Sequence, residues 1–162
     1  MNIYLLTHQR ELERSSNTGG LVADLLADGC KLYIWDRVRP DLELLEKIAD
    51  ESVALLYPSE GSACINEHEV FDSYIILDST WQEAQKMYNH SPYLKRLKKV
   101  HLNSGNASIY TLRRNQKEMG LCTAECVVEV LNSNGYLQQG RELLVHLKAF
   151  ILNSQSRGRE RL

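Results

Sequence analysis

No apolar run in the sequence approaches the ~18–20 residues that a membrane-spanning helix requires, so a helical span is excluded. Met1 leads straight into Asn2-Ile3-Tyr4-Leu5-Leu6 with no basic region or cleavage site, and export is not expected. Cysteine is scarce: Cys30, Cys64, Cys122 and Cys126 include no Cys-x-x-Cys pair, and no histidine stands at zinc-finger spacing from them. Without a secretion signal a disulfide framework is not expected either, so the four read as small, mostly buried thiols in a reducing cytoplasm, with no metal. Internal repeats, low-complexity tracts and linkers are also missing. What is present, 162 residues with 43% hydrophobic and 25% charged side chains, is one ordinary soluble domain with a real core.

The most informative absence is local. Residues 86–117 hold eight Lys/Arg and no acid, whereas residues 1–85 hold six Lys/Arg against sixteen Asp/Glu. Residues 118–162 are balanced, with five of each, and the net charge of −2 conceals this division. A basic block without a carboxylate is a candidate footprint for a polyanion; a solvated surface with uneven charge is the bland alternative.

Apolar runs at Asn2–Leu6, Lys31–Trp35, Val53–Tyr57 and Tyr74–Leu77 predict strands, and Val100–Leu102 and Ile109–Leu112 predict two short ones. Helical spacing covers Arg10–Leu26 with a break at residues 15–19, where Asn17 is a candidate cap. It returns from Asp41, over Thr80–Tyr88, from Thr123 to Asn134-Gly135, and over Arg141–Leu152. The expected fold is α/β, a single domain of residues 1–153 with a mainly parallel sheet flanked by helices, followed by a frayed tail over 154–162. In open parallel sheets ligands bind beyond the carboxyl ends of the strands. Here those ends are Thr7-His8, Tyr57-Pro58-Ser59 and Asp78-Ser79-Thr80-Trp81, each polar directly after an apolar run.

Five segments, in order, resemble the DTW-domain family. They are Asp78-Ser79-Thr80-Trp81-Gln82-Glu83-Ala84; Thr7-His8-Gln9-Arg10-Glu11 with Arg14-Ser15-Ser16-Asn17-Thr18-Gly19; Leu56-Tyr57-Pro58-Ser59; Tyr110-Thr111-Leu112-Arg113; and Gly120-Leu121-Cys122-Thr123-Ala124-Glu125. The resemblance implies a tRNA-uridine aminocarboxypropyltransferase, which moves the 3-amino-3-carboxypropyl group of S-adenosylmethionine to N3 of a uridine and releases methylthioadenosine. It also implies kinship with the SPOUT class, a knotted C-terminal half, and a homodimer as in related knotted enzymes. Two departures stand out. Many relatives carry a cysteine-rich segment before the first strand, with which this sequence begins, and Cys122 stands where the family usually has serine.

Under that reading the pocket must hold the γ-carbon of the cofactor ~3–3.5 Å from the incoming nitrogen, in line with the sulfur. Tyr57, Pro58, Leu77, Leu112 and Leu121 are candidate walls, with Ser59, Tyr110 and Cys122 in the same motifs. Uracil N3 needs a proton acceptor, and Asp78 is the candidate catalytic carboxylate; capping is its alternative, but Thr80-x-x-Glu83 already supplies a capping box. Trp81, with Ala84 and Tyr88, reads as core packing, with base stacking as its alternative, and Thr80 as the cap. Arg113 is a candidate for the cofactor carboxylate or a phosphate, and Thr123 for an N-cap whose helix end receives a carboxylate. Glu125 serves either the helix dipole or the cofactor ammonium.

For the RNA, the candidates are His8, Arg14, Asn17, Lys86, Lys95, Arg96, Lys98, Lys99, Arg114 and Lys117, with His90 and Tyr93 as stacking groups. His8 is equally a structural histidine, and binding by these cations is expected to weaken with salt. An RNA methyltransferase of the same fold, or a non-catalytic RNA-binding module, are the competing readings.

Overall fold

The computed structural model describes residues 1–67, 69–103, 108 and 121–161. Its strands are β1 (Asn2–Thr7), β2 (Cys30–Ile34), β3 (Val53–Leu56), β4 (Ala63–Cys64), β5 (Ser73–Asp78) and β6 (Lys98–His101). They form one sheet in the order β2-β1-β5-β3-β6-β4, and every pairing is parallel. The helices are α1 (Gly19–Leu26), α2 (Leu42–Asp50), α3 (Trp81–Asn89), α4 (Pro92–Lys95), α5 (Thr123–Ser133) and α6 (Leu137–Glu160).

Strand side chains alternate between faces, and here both faces are buried. Ile3, Leu5, Tyr74 and Ile76 point into a core built with α1, α5 and α6 through Val22, Val127 and Leu143. Tyr4, Leu6, Leu55 and Ile75 point the other way, onto Leu44 of α2, Met87 of α3 and Leu94 of α4. Each fully buried Leu or Ile contributes about 1.5–3 kcal/mol relative to exposure, so the two layers fix β1, β5 and β3 as the rigid centre. The expected parallel α/β architecture is what forms. Among the described residues no helix is long and apolar enough to cross a membrane.

The structure corrects several local expectations. Only Gln9–Glu13, as a 3-10 turn, and α1 are helical between Arg10 and Leu26. The two-residue β4 and the single turn of α4 have no periodicity to read. The last helix runs on to Glu160 through the segment expected to fray. Leu143, Leu147 and Ile151 anchor one stripe of it. Beyond them Ser156 Oγ donates to Leu152 O at 3.0 Å, and Arg157 and Arg159 complement the negative end of the helix dipole. The predicted strand Ile109–Leu112 lies outside the described residues.

Candidate functional site

The strand order brings together the three strand ends that the sequence singles out. β1 pairs with β2 on one side and β5 on the other, and β5 pairs in turn with β3. The crevice between β1 and β5 is therefore a topological switch point, where open α/β sheets bind ligands. Thr7 and Asp78 are register partners at its lip.

Asp78 is 0% exposed. Its carboxylate accepts hydrogen bonds from Thr7 Oγ1 at 3.1 Å, from Asn17 Nδ2 at 3.0 and 3.2 Å, and from Thr123 Oγ1 at 2.7 Å. One side chain thus ties together β1, the loop before α1, and the start of α5. Gly19 completes the enclosure, since a Cβ there would lie 2.2 Å from Asp78 Oδ2. Asn17 also caps α1, its Oδ1 accepting from Gly20 N at 3.0 Å. Asn17 therefore bonds to the framework, and so does Arg14, while both stay partly exposed. The Arg14 guanidinium pairs with buried Glu11 and donates to Glu83 Oε1 at 3.1 Å.

The network closes on itself. Asn17 Nδ2 reaches Glu11 Oε2 at 3.1 Å, and Glu83 Oε2 accepts from Thr80 N at 2.9 Å. With Thr80 Oγ1 accepting from Glu83 N at 3.2 Å, the anticipated capping box of α3 is present. Burial alone would raise the Glu83 carboxyl, but the Thr80 N–H and the charges of Arg14 and His8 hold it below its ordinary value. Three buried acidic side chains (Glu11, Asp78, Glu83) thus lie under the crevice; among the described residues Arg14 pairs with Glu11 and Glu83, while Asp78 is held by the neutral donors Thr7, Asn17 and Thr123. His8 accepts from Arg10 N at 3.2 Å and stacks on Trp35, with ring centroids 5.8 Å apart.

At the start of α5, Cys122 is the N-cap and Thr123 the first helical residue, so the helix begins one position earlier than the sequence suggests. Thr123 is thereby freed to bind Asp78. Ala124 N donates to Thr18 Oγ1 at 3.1 Å, and Glu125 Oε2 accepts from Cys122 N at 2.8 Å and Ser108 Oγ at 2.7 Å. Glu125 is therefore a capping carboxylate, and Cys122 contributes the backbone amide that a serine would. Burial pushes the Cys122 thiol up to about 12, which keeps it protonated and unreactive. Cys30, Cys64 and Cys126 are only partly buried, short of the mostly buried thiols expected. Because a hydroxyl caps better than a thiol, Cys122→Ser is expected to stabilise the fold by about 0.5–1 kcal/mol. Thermal melting should read this as a rise in Tm; a fall would mean that the wall needs the larger sulfur.

Beside this hub lies an aromatic stack. Tyr57, after β3, stacks on Trp81 at 5.5 Å and 21°, and on Tyr88 at 4.3 Å and 13°. Trp81 is 40% exposed, so it is not the core residue that its spacing with buried Ala84 suggests. Lys95 and Lys99 place their ammonium groups 5.9 and 5.4 Å from the Tyr88 ring centroid. Lys98 faces the other way, paired with Glu69 and near Phe71, because neighbouring residues of a strand point to opposite faces. The basic block is therefore not one surface. Lys86, Arg96 and His90 are exposed, while Tyr93 packs against the core beside α2, α3 and α4.

Pro58 is exposed, Leu77 packs against that same core, and Leu121 is half-buried. Tyr110, Leu112, Arg113, Arg114 and Lys117 lie outside the described residues. Among the described residues, the hydroxyls of Ser59 and Ser79 are buried without a hydrogen-bond partner, at the adjacent ends of β3 and β5.

Sequence reasoning missed the inward roles of Thr7, Glu11, Thr18 and Gly19, and saw Glu83 only as half of a capping box. For Thr7, Thr18 and Gly19 the one signal was position, a polar side chain or glycine at the end of a buried strand or the start of a helix.

Comparison with known proteins agrees with this layout. Residues 1–155 match the DTW domain. The chain is 28% identical over 150 residues to tRNA-uridine aminocarboxypropyltransferase 2 of Macaca fascicularis, covering 85% of this chain and 50% of that protein. It is 31% identical over 147 residues to the protein of the same name from Drosophila melanogaster, covering 85% and 59%. The chain thus spans about half the length of the curated relatives it matches. No solved structure matches it. With the hub, the capping box and the family motif in one crevice, the chain belongs to the DTW-domain family.

Proposed function

We propose that this chain transfers the 3-amino-3-carboxypropyl group of S-adenosylmethionine to N3 of a uridine in tRNA. The observation that carries the reading is the meeting of the family's separate motifs at one switch point, with Asp78 bonded at once to Thr7, Asn17 and Thr123. The names of the relatives supply the reaction class.

The residues fit an S-adenosylmethionine donor on two grounds. Ser59 Oγ and Ser79 Oγ are buried polar groups with no partner among the described residues, open to a ligand's polar atoms. Among the described residues Asp78 is held by neutral donors beside the Arg14-paired Glu11 and Glu83, an acidic cluster beneath the crevice that suits a ligand bearing a sulfonium and an ammonium. When bound, such a donor supplies an electrophilic carbon whose bond to sulfur breaks as N3 attacks, with methylthioadenosine as leaving group. Ser59 and Ser79 would orient it, Tyr57, Leu77 and Leu121 would line it, and the N3 proton would be released to solvent as the new bond forms, carrying off the positive charge that the sulfonium loses.

Asp78 was expected to accept that proton. Its enclosure and its three donors favour a positioning role instead, holding the strand ends and α5 in register. The reading includes a SPOUT-like threaded C-terminal half. Its support is β5 lying between β1 and β3, with the start of α5 bonded to both Asp78 and Thr18.

The test is to incubate the protein with tRNA and S-adenosylmethionine and analyse both products by mass spectrometry. Equal amounts of methylthioadenosine and aminocarboxypropyl-uridine are expected. S-adenosylhomocysteine with a methylated base would make it a methyltransferase, and an unchanged cofactor would leave a binding module.

A further inference from the structure

The aromatic stack at the end of β3 does nothing for the Asp78 hub. Trp81 and Tyr88 are seven residues apart on α3 and so lie above one another on one flank, with Tyr57 between them. One face of the Trp81 indole is covered by Tyr57, yet the residue remains 40% exposed. A large aromatic held rigidly from behind and open in front is a stacking platform.

The far end of the stack is cationic. Lys95 and Lys99 sit against Tyr88, and among the described residues neither has a carboxylate partner. Lys99 Nζ donates to Lys95 O at 3.0 Å and Leu97 O at 3.3 Å, which leaves one of its three N–H groups to spare. The lysine is thus held in place against the ring.

We propose that the open face of Trp81 receives an unpaired nucleobase of the RNA, while Lys95 and Lys99 hold the phosphates running past Tyr88. The identity of the partner rests on the function proposed above; the stacking mode goes beyond it. Charge decides between the two nucleobases available. The adenine of S-adenosylmethionine belongs to a molecule with two cationic groups against one carboxylate, which the lysines repel and the floor of Glu11, Asp78 and Glu83 attracts. An RNA strand is the polyanion that matches the lysine end, and single-stranded bases are the ones free to stack on an aromatic. The RNA is therefore engaged as a splayed strand at this point rather than as a duplex.

The chain has two tryptophans, Trp35 and Trp81. With fluorinated tryptophan incorporated, fluorine NMR gives one resonance for each, assigned by the signal lost in Trp81→Phe. Titration with a short oligouridylate is expected to shift the Trp81 resonance and leave that of Trp35 in place. Trp81→Ala is expected to weaken oligouridylate binding about tenfold or more, whereas Trp81→Phe, which keeps a ring, retains most of it. Lys95→Gln with Lys99→Gln should flatten the salt dependence of binding by about 0.7 in log–log slope per lysine.

A stationary Trp81 resonance with bound oligouridylate, or undiminished affinity in Trp81→Ala, would overturn the proposal. So would a Trp81 resonance that moves with S-adenosylmethionine alone. The two readings fail separately. A protein that stacks oligouridylate on Trp81 but transfers nothing keeps this inference and loses the proposed reaction. Active transfer with unchanged RNA affinity in Trp81→Ala does the reverse.

Discussion

Asp78→Asn is expected to abolish transfer and, in the same variant, to cost about 2–4 kcal/mol of stability, because charge-assisted bonds are lost and a buried donor faces donors. The carboxylate of Asp78 receives Thr7 Oγ1, Asn17 Nδ2 and Thr123 Oγ1, and it donates nothing. An asparagine puts an NH2 where one of its oxygens was. The two hydroxyls can rotate to accept from it, but Asn17 cannot flip its amide in compensation. Its Oδ1 already accepts from Gly20 N and its Nδ2 also serves Glu11 Oε2. The loop before α1 and the start of α5 therefore loosen together, and S-adenosylmethionine binding weakens with them. Urea unfolding, calorimetry with the cofactor and single-turnover transfer on one preparation check all three effects. A variant that folds and binds cofactor as the wild type does, yet transfers nothing, would return Asp78 to the role of proton acceptor.

The parts of this site that were legible in the sequence are those set by local rules. The ends of β1, β3 and β5 were visible because an apolar run stops at a polar residue, and Thr80-x-x-Glu83 because a capping box spans one helical turn. Contacts between distant segments left no such trace. Arg14 meets Glu83 across 69 residues of sequence, and Thr123 meets Asp78 across 45. Arg14 and Asn17 consequently read as candidates for phosphate, although both bond to the framework. Trp81 was misjudged for a different reason. Helical spacing puts it with Ala84 and Tyr88, but it cannot tell the middle of a buried stripe from its flank, and Trp81 lies on the flank against Tyr57. The acid-free block pointed to a polyanion, yet β6 begins at Lys98, two residues before the predicted strand. That start sends Lys98 and Lys99 to opposite faces and divides the block.

Arg14→Ala is the second large effect, and its size depends on pH. The Arg14 side chain is 34% exposed, and its guanidinium is the ion-pair partner of both Glu11 and Glu83. Removing one member of a buried pair leaves the other charge uncompensated, a loss of about 3–5 kcal/mol when fully enclosed. Solvent at the partly exposed arginine position lowers the expected loss to about 2–4 kcal/mol at neutral pH. In the wild type, Glu83 is held below its ordinary value, so it contributes stability above the unfolded carboxyl range. That contribution is lost as pH falls through the lowered value. Without Arg14, burial acts against fewer opposing groups and the Glu83 carboxyl titrates at higher pH. The acid limb of the stability curve should therefore move upward in pH, and the gap between variant and wild type should narrow as both become protonated. Urea unfolding at intervals from neutral pH down through the carboxylate range measures this. Arg14→Lys, which keeps the charge but not the two-pronged geometry, should fall between the two. A penalty independent of pH would mean that Arg14 acts through its packing, and the charge network would then not be what braces α3 against the loop before α1.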